Sequence, residues 1–311
     1  MKIVFFGSSQ FAVPALRALV NAKYNIACVV TQPDRRRGRH LVKAATPVKE
    51  AALEFKLEVF QPTSVNTDQS LYFIKVLKAD LFVVAAFGQI LSEGLLQIPK
   101  ISINIHASLL PKYRGAAPIN WAIIKGEEKT GVTIIKLVCK MDAGPMIAQR
   151  VVPIAKNDDA STLEPKLAEI GAGLLLQAID NIKENKYTLT PQKETEATFA
   201  PKLNKNDGLI NWQDAAEKIH NLIRGCIDWP GAFTYYKGKM LKIYKTEVGP
   251  RVLEPAGSRA GQIIEVTKEK IVMACGKDSL EIKELQLEGK RRMKVEEFIS
   301  GHKISVGEIL G

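Results

Sequence analysis

The chain has 311 residues with 46% apolar content, enough for two domains with sizeable cores, and a net charge of +11 from 44 Lys and Arg against 33 Asp and Glu. No apolar run approaches the roughly 20 residues needed to span a bilayer. Cys28, Cys139, Cys226 and Cys275 show neither metal-ligand spacing nor a disulfide framework, which favours the cytoplasm, and the positive balance suits a polyanionic partner.

The first 150 residues alternate short apolar runs with helical patterns. Lys2–Phe6, Ile26–Thr31, Leu57–Phe60, Leu81–Ala86 and Ile101–His106 read as strands. The run from Leu81 to Phe87 is apolar throughout, as in a strand buried on both faces. A helical stripe covers Phe11–Val20, Thr46-Pro47 supplies an N-cap with Pro at the first helical position, Ser92 is placed to cap a helix ending before Pro99, and Ala117-Pro118 opens another. This alternation predicts an α/β, Rossmann-like, mostly parallel doubly wound sheet. Two further strands, Gly131–Val138 and Met146–Pro153, flank an Asp142-Ala143-Gly144 turn. A long helix follows from Ser161 to Asn185, with Ser161 and Glu164 spaced as a capping box.

The division expected is a first domain over 1–188, a polar linker over 189–206 and a second domain over 207–311. The last third carries a helix, Asp214–Arg224, and then short strands: Ala232–Tyr236, Met240–Val248, Gly261–Val266, Lys270–Cys275 and Ser279–Leu287. Lys237-Gly238 and the stretch from Cys275 to Asp278 read as hairpin turns. Short strands with one helix suggest a smaller OB-like β-barrel.

The first strand–turn–helix has only Gly7, not the further glycines of a dinucleotide fingerprint, and no phosphate-cradling P-loop is present. A sheet of this class places its site at the carboxyl ends of the strands, beside a reversal of strand order. Side chains alternate along a strand, so Asn104 and His106 share one face of Ile101–His106. The pair suits either a site or a strand end whose polar groups cap a loop. Asp142 equally suits a turn aspartate bonding its own backbone or a carboxylate beside His106. Arg35, Arg36, Arg37, Arg39 and Lys43 form a basic stretch around Gly38, and Lys290, Arg291, Arg292 and Lys294 form a second. Each suits either a solvated surface or phosphate contacts.

Taken together, these residues resemble the methionyl-tRNA formyltransferases, along essentially the whole chain. The likeness rests on Phe11-Ala12-Val13-Pro14, Thr31-Gln32-Pro33-Asp34-Arg35, the Asn104-x-His106-x-Ser108-Leu109-Leu110-Pro111 segment, Arg114-Gly115-Ala116-Ala117-Pro118, Met141-Asp142-x-Gly144 and Trp229-Pro230-Gly231-Ala232. The Asn-x-His and Asp set marks the wider group of enzymes using 10-formyltetrahydrofolate. The Arg-Gly-Ala-Ala-Pro extension, the basic loop and the last domain narrow it to the tRNA enzymes. Departures are modest: the family often has Pro-Asp at Ser9-Gln10, Tyr at Phe87, and Gly at His40 and Ile101.

The resemblance implies formyl transfer from 10-formyltetrahydrofolate, as co-substrate and without a metal, to the α-amine of methionine on initiator tRNA. It makes Asn104, His106 and Asp142 catalytic. Asn104 and protonated His106 stabilise the developing oxyanion, while Asp142 keeps His106 charged and takes the ammonium proton. The folate is expected against Phe87, Gly88, Gln89, Ile90, Ser108, Leu109, Leu110 and Pro111. Arg35, Arg36, Arg37, Arg39 and Lys43 face the tRNA, with Arg39 entering the acceptor end. The chain is expected to act as a monomer, off the membrane. Rival readings are a formyltransferase for an amino-sugar nucleotide or other small amine, and a noncatalytic RNA-binding protein.

Overall fold

The computed structural model describes residues 1–37, 42–249 and 259–311, with only the backbone at Arg36, Arg37, Val42 and Lys43. Arg39 therefore lies outside the described residues. The chain forms two compact units. One comprises Met1–Pro118, Lys129–Pro153 and Glu164–Pro201; the other comprises Ile119–Glu128, Ile154–Leu163 and Lys202–Gly311.

In the first unit, strands lie in the order Met146–Pro153, Lys129–Lys136, Ile101–His106, Leu81–Ala85, Lys2–Gly7, Asn25–Val30, Val59–Phe60. The last five are parallel to one another, and the first two extend the edge antiparallel. The architecture is thus Rossmann-like, with helices between the parallel strands. The chain works outward from Lys2–Gly7 to Val59–Phe60, then restarts on the other side at Leu81–Ala85. The reversal of strand order falls between Gly7 and Ala85, which are register partners.

Burial explains why the apolar runs become strands. Val4, Phe6, Phe82 and Val84 pack with Cys28, Val30, Ile74 and Leu95 in one core, each large side chain contributing roughly 1.5–3 kcal/mol. A Cβ at Gly7 would lie 2.8 Å from the Phe5 ring and 2.9 Å from the Ala12 Cβ. Packing at the strand exit therefore demands this glycine. The long helix Ala160–Lys183 approaches the strands closely at Gly171, where a Cβ would stand 3.0 Å from Ile105 Cγ2 and 3.3 Å from Val132 Cγ1.

The helix caps are partly as expected. Thr46 Oγ1 accepts the Lys49 amide at 3.1 Å, and Ser92 Oγ accepts that of Leu95 at 3.4 Å, although the helix there is one turn, Glu93–Leu96. The long helix is capped differently. Asp159 Oδ1 accepts the Thr162 amide and Thr162 Oγ1 accepts the Asp159 amide, both at 2.9 Å. Ser161 lies inside the first turn, because Asp159 is the stronger acceptor at the positive helix end. The basic stretch, expected as a loop, includes an antiparallel pair, Arg35–Arg37 with Val42–Ala44.

Residues 189–200 are hydrogen-bonded along the first unit. Thr190 and Met146 exchange backbone hydrogen bonds at 2.8 and 2.9 Å, and Phe199–Ala200 pairs in parallel with Arg114–Gly115. The extended polar backbone completes its hydrogen bonds against the first unit.

The second unit carries an antiparallel sheet in the order Ala232–Tyr236, Lys239–Gly249, Ser279–Leu287, Ile271–Ala274, Ile263–Val266, with Met293–Lys294 also on Ser279–Leu287. Lys237 and Gly238 both have positive φ, 50° and 75°, as a two-residue hairpin turn matching the strand twist requires. Helix Ala216–Gly225 places Ile219 and Ile223 in a core with Trp212, Leu241, Ile282 and Phe298.

Candidate active site

His106 ends the strand Ile101–His106, one strand beyond the reversal, and is 5% exposed. Its Nε2 lies 2.9 Å from the Tyr113 carbonyl oxygen. A carbonyl only accepts, so Nε2 carries a hydrogen and donates it. The other nitrogen, Nδ1, stands 3.5 Å from Asp142 Oδ2. That is longer than a charge-assisted N–H···O bond of about 2.7–2.9 Å. Nδ1 is therefore not saturated by Asp142 and can also turn to a third group.

Asp142 sits in the left-handed region at φ 50°. Aspartate tolerates that conformation better than most side chains. Its Oδ2 accepts the Gly115 amide at 2.8 Å, which fixes the carboxylate beside the ring. The two residues thus meet although 36 positions separate them, while His106 and Asn104 share a strand face. Asn104 is half-buried, with backbone neighbours Val84 and Ile135. Among the described residues its amide has no hydrogen-bond partner. A half-buried amide at a strand end with an unused donor is a ready ligand for an oxyanion.

The loop after His106 is held from below. Thr133 pairs with His106 across the sheet, donates through Oγ1 to Ser108 O at 2.7 Å and accepts the Leu110 amide at 3.3 Å. Ser108 Oγ donates to Lys112 O at 2.6 Å. Leu110 is buried, whereas Leu109 and Pro111 are half-buried. These side chains shape the loop, and its remaining surface is what a ligand can meet.

The opposite wall is the exit from Leu81–Ala85. Phe87 is 2% exposed, and its ring packs on Phe6 with centroids 5.5 Å apart. Its ring belongs to the core, and its carbonyl accepts Ser8 Oγ at 2.9 Å across the reversal point. Gly88 adopts φ 86° and is exposed. Gln89 Oε1 accepts the Val65 amide at 2.8 Å, so this side chain ties down a neighbouring loop. Ile90 is 63% exposed, an apolar surface just past the strand exit.

A third element comes from the segment read as a linker. Arg114 has only 1% of its side chain exposed, and Nη1 reaches both Glu194 carboxylate oxygens at 2.9 and 3.0 Å. Hydrogen bonds from Arg114, then from Lys140, pull the Glu194 carboxyl down to about 2. Gln192 Oε1 accepts Arg114 Nε at 3.0 Å and Nη2 at 2.9 Å, while its Nε2 donates to Asp142 O and Gly144 O at 2.7 Å each. Thr198 Oγ1 accepts the Tyr113 amide at 2.8 Å. Gln192, Glu194 and Thr198 sit in a polar tract without periodicity, and only the need of a buried Arg114 for partners hints at them in the sequence.

Of the basic residues, Arg35 is exposed and its guanidinium lies 3.4 Å from Gln32 Oε1. In the second cluster, Arg292 Nε donates to Glu284 at 2.8 Å, and Arg291 pairs with Glu297. Two of those four cations therefore already have carboxylate partners.

The pattern of the family described as "Formyl transferase" matches residues 1–179, and that of "Formyl transferase, C-terminal domain" matches residues 202–303. This chain belongs to the formyl transferase family. Its relatives include the methionyl-tRNA formyltransferase of Caldanaerobacter subterraneus subsp. tengcongensis, 46% identical with 100% of both chains covered. That of Enterococcus faecalis is 45% identical over 99% of this chain and 98% of its own. Among solved structures, the N-formyltransferase from Helicobacter canadensis in complex with folinic acid and dTDP-3-aminofucose has a TM-score of 0.68 at 21% identity, covering 94% of this chain and 100% of that one. HypX from Aquifex aeolicus in complex with tetrahydrofolic acid has a TM-score of 0.66 at 16% identity, covering 99% of this chain and 50% of that one. At such identities the two structures speak for the fold.

The turn that carries Asp142 is sensitive at Gly144. A Cβ there would lie 1.7 Å from Lys136 O, on a backbone already closed by the Lys136 amide donating to Pro145 O at 2.9 Å. Gly144→Ala is expected to cost about 1–3 kcal/mol of stability and to slow turnover with it, because the displaced turn carries the carboxylate. Thermal unfolding and steady-state rates of the variant check both.

Proposed function

We infer that this chain transfers the formyl group of 10-formyltetrahydrofolate to the α-amino group of methionyl initiator tRNA. The observation that carries this reading is the His106–Asp142 pair at the carboxyl edge of the sheet, in a chain whose full-length relatives bear that activity in their names.

The formyl donor fits the residues present. An amide with an unused donor at Asn104, an unsaturated Nδ1 at His106 and the exposed Ile90 suit a polar one-carbon group beside a flat apolar ring. Folate is held against Gly88, Gln89 and Ile90, the Phe87 backbone, and Ser108, Leu109, Leu110 and Pro111. When the methionyl amine attacks the formyl carbon, negative charge grows on the formyl oxygen. Asn104 Nδ2 and protonated Nδ1 of His106 donate to that oxygen. Asp142 Oδ1, the oxygen not committed to Gly115, takes the proton that the attacking nitrogen sheds. The tetrahedral centre then collapses, the bond to N10 breaks, and N10 leaves with a proton supplied by His106 or a water.

Residues 1–188 carry this chemistry, with 189–206 joining them to an OB-like tRNA-binding domain over 207–311. Arg35, Arg36, Arg37, Arg39 and Lys43 contact the acceptor arm through its phosphates. The protein works as a cytoplasmic monomer. Incubation with 10-formyltetrahydrofolate and methionine-charged initiator tRNA should yield formylmethionyl-tRNA, with little product from an aminodeoxysugar nucleotide at equal concentration. Preference for the sugar, or no transfer to either, would overturn the reading.

A further inference from the structure

We propose that Gln192 is a positioning residue for formyl transfer, acting through Asp142. The proposal rests on the assignment of Asp142 to the chemistry made above. Gln192 lies between the segments matched by the two family patterns, which end at 179 and resume at 202. It nevertheless joins the buried Arg114 guanidinium to the turn bearing the carboxylate.

Its amide is used completely, and in one sense only. The oxygen takes two hydrogens from Arg114, at 3.0 and 2.9 Å, and the nitrogen gives its two hydrogens to the carbonyls of Asp142 and Gly144, at 2.7 Å each. Arg114 cannot accept and the carbonyls cannot donate, so the orientation of the amide is fixed by its partners. Arg114 is itself anchored by Glu194. The Asp142 backbone is thereby tied to a buried, ion-paired side chain while Gly115 ties its carboxylate. One tie on the backbone and one on the carboxylate together hold Oδ2 opposite His106 Nδ1 at 3.5 Å.

Gln192→Glu separates the two halves of this role. Arg114 keeps an acceptor, now charged, so the fold is retained. The two carbonyls lose their donor and face an anion instead. Displacement of a reacting group by about 1 Å can cost about 100-fold, so kcat is expected to fall about 10- to 100-fold, with KM for methionyl-tRNA and for the formyl donor changed less than about threefold. The deciding measurement is a double-mutant cycle with Asp142→Asn. If Gln192 acts through Asp142, the double variant is no slower than D142N alone, within about threefold. Losses that multiply would overturn the proposal while leaving Asp142 catalytic. Full activity of D142N alone would overturn the catalytic assignment and the proposal with it. Gln192→Met keeps the volume and removes all four bonds; it enters the same cycle if the glutamate chain does not fold.

Discussion

His106→Ala is expected to lower kcat about a thousandfold while leaving a folded chain that still binds both substrates. The size follows from what the ring supplies. A preorganised donor to a developing oxyanion contributes about 10²–10³ in rate, and proton transfer about 10²–10⁴. The two roles share one imidazole, so their losses overlap rather than multiply. The structural cost is separate and smaller. Removing the ring strips the Tyr113 carbonyl of its donor at 2.9 Å, but that carbonyl belongs to a loop also secured by Thr198 at the Tyr113 amide. A single unsatisfied carbonyl costs about 1–3 kcal/mol, which shifts a melting temperature by a few degrees. Single-turnover transfer with saturating substrates isolates the chemical step. A rate within threefold of the parent chain would remove His106 from the chemistry, and a chain that no longer folds would make its main role structural.

Much of this was legible in the sequence. The continuous apolar run Leu81–Ala85 reads as a strand buried on both faces, and the alternation around it predicts the mostly parallel sheet that forms. Alternation along Ile101–His106 put Asn104 and His106 on one face without reference to any fold. The contact of His106 with Asp142 was not legible from spacing. It arises because the segment after Lys129–Lys136, which leaves the sheet beside Ser102, folds back and is held near His106 by the Gly115 amide and by Gln192. That the Phe87 ring packs into the core on Phe6 was not legible from its place at the strand end. The hydrogen bonds made by residues 189–200 were not legible either. A polar tract without periodicity reads as a linker, yet polar residues without periodicity are what a buried guanidinium and a set of unpaired carbonyls recruit.

Asp142→Asn and Asp142→Ala should be equally poor catalysts and unequally stable proteins, and the pair separates chemistry from folding. Asparagine has nearly the shape of aspartate, tolerates φ 50°, and can still accept the Gly115 amide through its oxygen. It has no charge to set against His106 and cannot take up the proton of the attacking amine. Loss of that general base predicts a fall in kcat of about 10²–10⁴ with little change in melting temperature. Alanine removes the same chemistry and also leaves the Gly115 amide without its acceptor in a half-buried turn, a cost of about 1–3 kcal/mol. At about 2–4 °C per kcal/mol for a chain segment of 150–250 residues, the alanine variant should melt several degrees below the asparagine one. Rates that differ greatly between the two would mean that the carboxylate acts chiefly by holding Gly115, and hence the loop that carries the Tyr113 carbonyl to His106. Equal rates with unequal melting would place the carboxylate's charge, rather than its hydrogen bond, in the reaction.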